Sequence, residues 1–259
     1  MKRKINFSKY QGAGNDFILI DNREGFFDRT DTALVKSLCD RRFGIGADGL
    51  MLLQDTKSFD FEMVYYNADG NEGTMCGNGG RCIVAFAHDL QIIRDKTAFL
   101  AVDGAHDATI TDERVDLGMI DVSAVTRDNT AYVLNTGSPH YVAFVEGLAN
   151  MDVYGTGYAI RNNETYKQAG INVNFIEKEG PGYFVRTFER GVEDETFACG
   201  TGATAAAMAA AVQENLNGDL EIPIRVLGGQ LYVAFHKEGL RFTRVRLKGP
   251  AKFVFQGEF

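Results

Sequence analysis

Met75-Cys76-Gly77-Asn78-Gly79-Gly80 returns, loosely, as Ala198-Cys199-Gly200-Thr201-Gly202-Ala203. Each copy is a cysteine followed by Gly-x-Gly and then by small and apolar residues. The offset is 123 residues (199 − 76), and it recurs along the chain. Gly14-Asn15-Asp16-Phe17 falls on Gly137-Ser138-Pro139-His140. Ala47 to Leu53 falls on Gly170 to Ile176, and Phe61 to Asn67 on Phe184 to Arg190. Identity is low, but apolar alternation and turn residues stay in register without a gap. A period this long exceeds the roughly 20–50 residues of solenoid repeats. It predicts two copies of one domain.

Composition agrees. The chain has 259 residues, 45% of them apolar and 24% charged, with four prolines. That suits two ordinary globular domains with buried cores and argues against disorder. The net charge is −8, with no basic stripe, so nucleic acid is not an expected partner and an anionic membrane surface is disfavoured. The longest helix-like apolar run, Ala203 to Val212, is far short of the roughly 20 residues that cross a bilayer. Met1-Lys2-Arg3-Lys4-Ile5 is basic but lacks the apolar stretch of a signal peptide. Four cysteines without such a signal point to free thiols in a reducing, cytoplasmic compartment.

Strands are expected at Ile5 to Tyr10, Phe17 to Asp21, Leu50 to Gln54 and Phe61 to Tyr66. A glycine-rich turn is expected from Gln11 to Asn15. A helix is expected from Asp31 to Cys39, capped by Thr30 or Asp31, and a buried one from Cys76 to Leu90. The second half repeats this order. It has a turn near Gly137, a helix near Arg161 to Ala169, strands at Val173 to Ile176 and Phe184 to Phe188, and a helix from Cys199 to Asn215. The tail from Ile222 to Phe255 is strand-rich. Strands outnumber helices and regular βαβ spacing is missing, so the fold class is α+β, with each sheet wrapped about its own apolar helix.

Cys76 and Cys199 both fall where a helix begins. Backbone N–H groups there carry positive partial charge, which stabilises a thiolate and can hold a carboxylate. Two such loops suit an enzyme that removes a proton from one face of a carbon and returns one to the other. Cys39 and Cys82 lack this setting and read as packing residues. The Cys76 to Cys82 spacing fits no zinc pair, so no metal site is expected. His140 follows a turn inside a repeat block and could partner a thiol, as could Glu189 in the other half. His88, His106 and His236 read as surface or incidental residues. Arg190 suits bidentate carboxylate recognition. Gly44-Ile45-Gly46-Ala47-Asp48-Gly49 matches a dinucleotide fingerprint as a string, but a helix precedes it and a strand follows, the reverse of what phosphate binding needs. A tight turn is the better reading. No lysine is placed to suggest a pyridoxal phosphate site.

These motifs, in order and over almost the whole chain, resemble the diaminopimelate epimerase signature set. They are Gln11 to Phe17, Asn67-Ala68-Asp69-Gly70, Met75 to Cys82, Gly137-Ser138-Pro139-His140, Glu189-Arg190-Gly191 and Ala198 to Gly202. The resemblance implies two pseudo-symmetric domains, each a mixed, largely antiparallel sheet around a central helix, facing across a cleft and often forming a homodimer. The domains would be 1–119 with 247–259, the returning last strand, and 120–246. It implies epimerisation of LL- to meso-diaminopimelate, on the route to lysine and peptidoglycan, with no cofactor. Cys76 and Cys199 would be the acid/base thiols, assisted by His140 and Glu189. Gly77, Asn78, Gly200 and Thr201 would bind the reacting carboxylate. Asn15, Asn67, Asn172, Glu189 and Arg190 would hold the distal end. Ser138 stands where many members have Asn, and Gly49 where some have Gln. The rival readings are another cofactor-independent racemase on this fold, a thiol redox protein and an inactive amino-acid-binding module. A redox protein would want the Cys-x-x-Cys that is absent, and both thiols being present speaks against the third.

Overall fold

In the computed structural model, which describes residues 4–259, the chain divides into two units, Met1–Leu117 with Gly249–Phe259, and Gly118–Lys248. Met1-Lys2-Arg3, the basic start weighed as a signal segment, lies outside the described residues.

The first unit runs β1 (Asn6–Gly12), β2 (Asn15–Asp21), α1 (Thr32–Cys39), β3 (Gly49–Gln54), β4 (Phe61–Asn67), α2 (Gly77–Asp89), β5 (Lys96–Ala101), β6 (Gly104–Thr111) and β7 (Arg114–Gly118). Pairing alternates: β1 with β2 antiparallel, β2 with β3 parallel, β3 with β4 antiparallel, β4 with β5 parallel, then β5–β6 and β6–β7 antiparallel. In the second unit, β8 (Val125–Asp128), β9 (Ala131–Asn135), β10 (Pro139–Phe144), α3 (Val153–Arg161), β11 (Asn172–Glu179), β12 (Gly182–Glu189), β13 (Asp194–Thr196), α4 (Gly200–Gln213), β14 (Gly218–Val226), β15 (Gly229–Glu238) and β16 (Arg241–Pro250) follow the same plan. β9–β10 is antiparallel, β10–β11 parallel, β11–β12 antiparallel, β12–β14 parallel, and β14–β15–β16 antiparallel. β17 (Lys252–Glu258) pairs antiparallel with β1, as β8 does with β9. The molecule is α+β, as the strand-rich sequence requires.

Each sheet carries one helix on each face. Leu50 and Leu52 of β3 join Ile18, Ile20, Val35 and Leu38 in a cluster beneath α1. On the other face a Cβ added to Gly79 of α2 would stand 2.9 Å from Met51 Cε. With both faces covered, β3 has no polar alternation and is buried along nearly its full length. In the second unit Val173 and Phe175 cluster with Val153 of α3, while Asn174 faces α4. Residues Ala203 to Ala211 of α4 are buried on every side, as expected of a helix that is apolar all round.

Three readings need correction. The helix expected near Arg161 to Ala169 lies earlier, at Val153–Arg161, capped by Asp152, which accepts from Gly155 N at 2.9 Å. Past Arg161 the Asn163 side chain accepts from Thr165 N and Tyr166 N at 2.9 and 3.0 Å, and that local bonding diverts the backbone from helix. The single offset also fails in one place. Phe17↔Gly49 matches His140↔Asn172 at 123, but Leu50↔Tyr66 matches Val173↔Phe188, so β12 is shifted by one residue. One extra residue between β12 and α4 restores the register at Cys199. Finally, the His106 ring is no surface group. It stacks on Phe99 at 5.5 Å, is bonded to Asp103, and its side chain is 7% exposed.

Gly44 to Gly49 forms a turn between α1 and β3. Gly46 sits at φ +82°, which glycine adopts without steric cost. Cys39 and Cys82 are buried packing residues.

Candidate active site

Each Cys-Gly-x-Gly segment places its cysteine at the N-cap of a helix. Cys76 and Cys199 have extended backbones (φ −109° and −115°), and neither side chain makes a capping hydrogen bond. The first α-helical bonds are Gly80 N to Cys76 O at 2.7 Å and Ala203 N to Cys199 O at 2.8 Å. Amides of a first turn have no intrahelical acceptor. Both thiols therefore stand beside groups suited to an anion. All four cysteines are free thiols.

Around Cys76, Asn15 is the hub. Its Oδ1 accepts from Asn78 Nδ2 at 3.1 Å and lies 3.8 Å from Cys76 Sγ, while its Nδ2 donates to Asp48 Oδ2 at 2.7 Å. Arg41 Nη2 bridges Asp48 and Asp16 at 2.6 Å each, and Lys9 approaches Asp16 within 2.6 Å. Burial raises the Asp16 carboxyl, but hydrogen bonds from Arg41 and Lys9 outweigh it and hold the group near 2. Within α2, the fully buried Arg81 donates to Asn78 Oδ1 at 3.0 Å and to the Gly77 carbonyl at 3.2 Å. It thereby fixes the first turn. Asn67 stands at the exposed end of β4, opposite Gly49.

Around Cys199, Thr201 is the hub. Its Oγ1 lies 3.5 Å from Cys199 Sγ and 2.9 Å from His140 Nε2. Asn174 Nδ2 meets His140 Nδ1 at 3.0 Å. His140 is fully buried; burial first, then the Arg190 charge, push its imidazole down to about 3 despite the bond from Asn174. The ring is neutral at physiological pH. A second group joins Ser138, Asn172 and Arg190. Asn172 Nδ2 donates to Ser138 Oγ at 2.9 Å, Asn172 Oδ1 accepts from Arg190 N at 2.8 Å, and Arg190 Nη2 reaches Ser138 Oγ at 3.4 Å. Glu189, next in sequence, accepts from Thr196 Oγ1 at 3.0 Å.

The structure thus gathers Cys76, Asn15, Gly77 and Asn78 in one unit, and Cys199, Gly200, Thr201 and His140 in the other. The Ser138 hydroxyl, absent from the expected contacts, is tied to Asn172 and Arg190. Sequence reasoning missed Lys9, Asp16, Arg41, Asp48, Arg81, Asn174 and Thr187, whose hydroxyl donates to Asn174 Oδ1 at 2.9 Å. The available signal was a polar residue inside an apolar strand, as in Val173-Asn174-Phe175-Ile176. Among the described residues no group of three His, Cys, Asp or Glu side chains is arranged to hold a metal, and no helix is long and apolar enough to cross a membrane.

The family model described as diaminopimelate epimerase matches residues 7–122 and 132–254. The chain is 55% identical over 250 residues to a diaminopimelate epimerase of Flavobacterium psychrophilum, covering 96% of this chain and 97% of that one. It is 44% identical over 257 residues to that of Chlorobaculum tepidum, covering 95% and 98%. A phenazine biosynthesis protein of the PhzF family from Bacillus anthracis shares the fold, with a TM-score of 0.79, 12% identity and 99% coverage of both chains.

Proposed function

The chain belongs to the diaminopimelate epimerase family, and on that premise we propose that it interconverts LL- and meso-2,6-diaminopimelate by two-base proton transfer at the α-carbon. That step lies on the route to lysine and peptidoglycan. The observation that carries the reading is the pair of cysteines, each at a helix N-cap in its own copy of one fold.

An amino-acid α-proton is very weakly acidic, so its removal needs strong electrostatic help. One cysteine, as thiolate, takes the proton; the other, as thiol, returns one to the opposite face. Charge building on the substrate carboxylate is met by the first-turn amides at Gly77-Asn78 and Gly200-Thr201. His140, through Thr201, and Glu189 assist the thiols. Asn15, Asn67, Asn172, Glu189 and Arg190 hold the distal ammonium and carboxylate. Arg190 is suited to the carboxylate because its guanidinium offers paired donors. The side chains themselves supply both acid and base, which fits a reaction without pyridoxal phosphate.

The test is incubation of the purified protein with LL-diaminopimelate, followed by chiral analysis. Formation of the meso isomer is expected, with Cys76→Ala and Cys199→Ala each inactive. Full turnover in either variant overturns the two-thiol scheme.

Working free thiols require a reducing compartment, which supports a cytoplasmic location. A homodimer is supported by exposed apolar side chains on and beside β17, Phe253, Val254, Phe255 and Phe259, each 44–51% exposed. Sedimentation as a monomer at micromolar concentration would count against it.

A further inference from the structure

The two half-sites share one frame but not one chemistry. Phe17 and Met51 of the first unit occupy the positions of His140 and Asn174 in the second, and Tyr65 that of Thr187. Under Cys76 these places are apolar or aromatic. Under Cys199 they form a buried polar chain in which each hydrogen has one available direction.

The chain starts from a backbone carbonyl. Asn174 contacts Tyr141 O at 3.0 Å, and a carbonyl only accepts, so the atom facing it is the amide nitrogen. Thr187 Oγ1 donates to Asn174 Oδ1 at 2.9 Å, which fixes the amide from its other end. The same nitrogen meets His140 Nδ1, which must therefore accept. A neutral imidazole carries one N–H, so the proton sits on Nε2 and is donated to Thr201 Oγ1. With a donor already on its oxygen, the Thr201 hydroxyl is free to direct its own hydrogen to Cys199 Sγ. Asn174 is fully buried and Thr187 is 3% exposed, so water does not compete. Gly202 makes the approach feasible, since a Cβ there would overlap Asn174 Oδ1.

We propose that Asn174, clamped by Tyr141 and Thr187, is a positioning residue that holds His140 as the Nε2–H tautomer and so aims the Thr201 hydroxyl at Cys199. A donor aimed at sulfur favours the thiolate. The half-site of Cys76 is built the other way: Asn15, fixed by Asp48, turns an acceptor toward the thiol. The proposal rests on reading Cys199 as one of the two acid/base thiols.

The test is a two-bond 1H–15N correlation spectrum of protein labelled at histidine, with the His140 signals identified by their loss in His140→Gln. The wild type is expected to show the Nε2–H tautomer at neutral pH. An Nδ1–H ring or an imidazolium overturns the proposal, and this readout needs no variant of Asn174. In Asn174→Asp an acceptor faces Nδ1, so the proton is expected to move there. Alkylation of Cys199 by iodoacetamide should then slow about tenfold, while Cys76 in the same sample keeps its rate. A variant that keeps the proton on Nε2, or Cys199 at its wild-type rate, overturns it equally. Neither readout involves diaminopimelate, so a negative epimerase assay and a wrong tautomer are separate failures.

Discussion

The four thiols of this chain differ by what surrounds them. Burial pushes Cys39 and Cys82 up to about 12, so both stay protonated and unreactive at neutral pH. Cys76 and Cys199 sit at helix N-caps, where partial positive charge favours the thiolate. Iodoacetamide on native protein is therefore expected to label Cys76 and Cys199 and to spare Cys39 and Cys82 until denaturant is added. Mass spectrometry of the tryptic peptides checks this, and early labelling of Cys82 would contradict it. The carboxylate of Asp16 makes a second case. Its pKa is lowered from 3.8 to about 2, with burial opposing and Arg41 and Lys9 prevailing. A depressed carboxyl stabilises the fold above its unfolded pKa, and that contribution is lost as pH falls from about 3.8 towards 2. Lys9 is nearly buried, so Asp16→Asn strands a charge and should cost about 3–5 kcal/mol in urea unfolding. The variant should also flatten the acid limb of the stability curve in that window. These residue-scale networks were poorly legible in the sequence. Lys9, Asp16 and Arg41 are ordinary charged residues there, and only the pairing of β2 with β3 brings Asp16 and Asp48 together.

Elements were the most legible scale, because periodicity and caps are local. Asp31 caps α1 as its position suggests, accepting from Leu34 N at 2.9 Å. The helices opened by Cys76 and Cys199 begin one residue past each cysteine, at Gly77 and Gly200. What misled was α3, where the segment from Asn163 to Ala169 has helix-compatible residues, but the Asn163 side chain bonds to the Thr165 and Tyr166 amides instead. The one-residue shift of β12 was also hidden, since apolar residues overlay at either offset. The buried alanines of α4 let strands approach on every side. Ala207 is fully buried, and Ala207→Leu would add volume with nowhere to go. A loss of about 1–3 kcal/mol is expected by thermal or urea unfolding. A neutral result would mean that the packing around α4 is looser than described.

Across the whole molecule, the chain's last strand completes its first unit. β17 lies against β1 from Asn6↔Glu258 to Gln11↔Lys252, with Phe253 edge-on to Tyr10 at 5.6 Å and Phe255 edge-on to Phe7 at 5.9 Å. Deleting residues 252–259 removes these contacts and opens an edge on β1. A lower melting temperature and aggregation are expected; a deletion that melts like the intact protein would show that β17 is dispensable. The sequence by itself determined the duplication, the α+β class, the helix-start setting of Cys76 and Cys199 and the residues that carry the family resemblance, because all of these are written in local spacing. Only the tertiary structure decided which polar groups meet. It set Asn174 under His140, where Met51 lies in the other unit, and tied Asn15 to Asp48 and Ser138 to Arg190. Hydrogen bonds depend on ångström-scale register between strands far apart in the chain, and residue spacing along one strand does not carry that information.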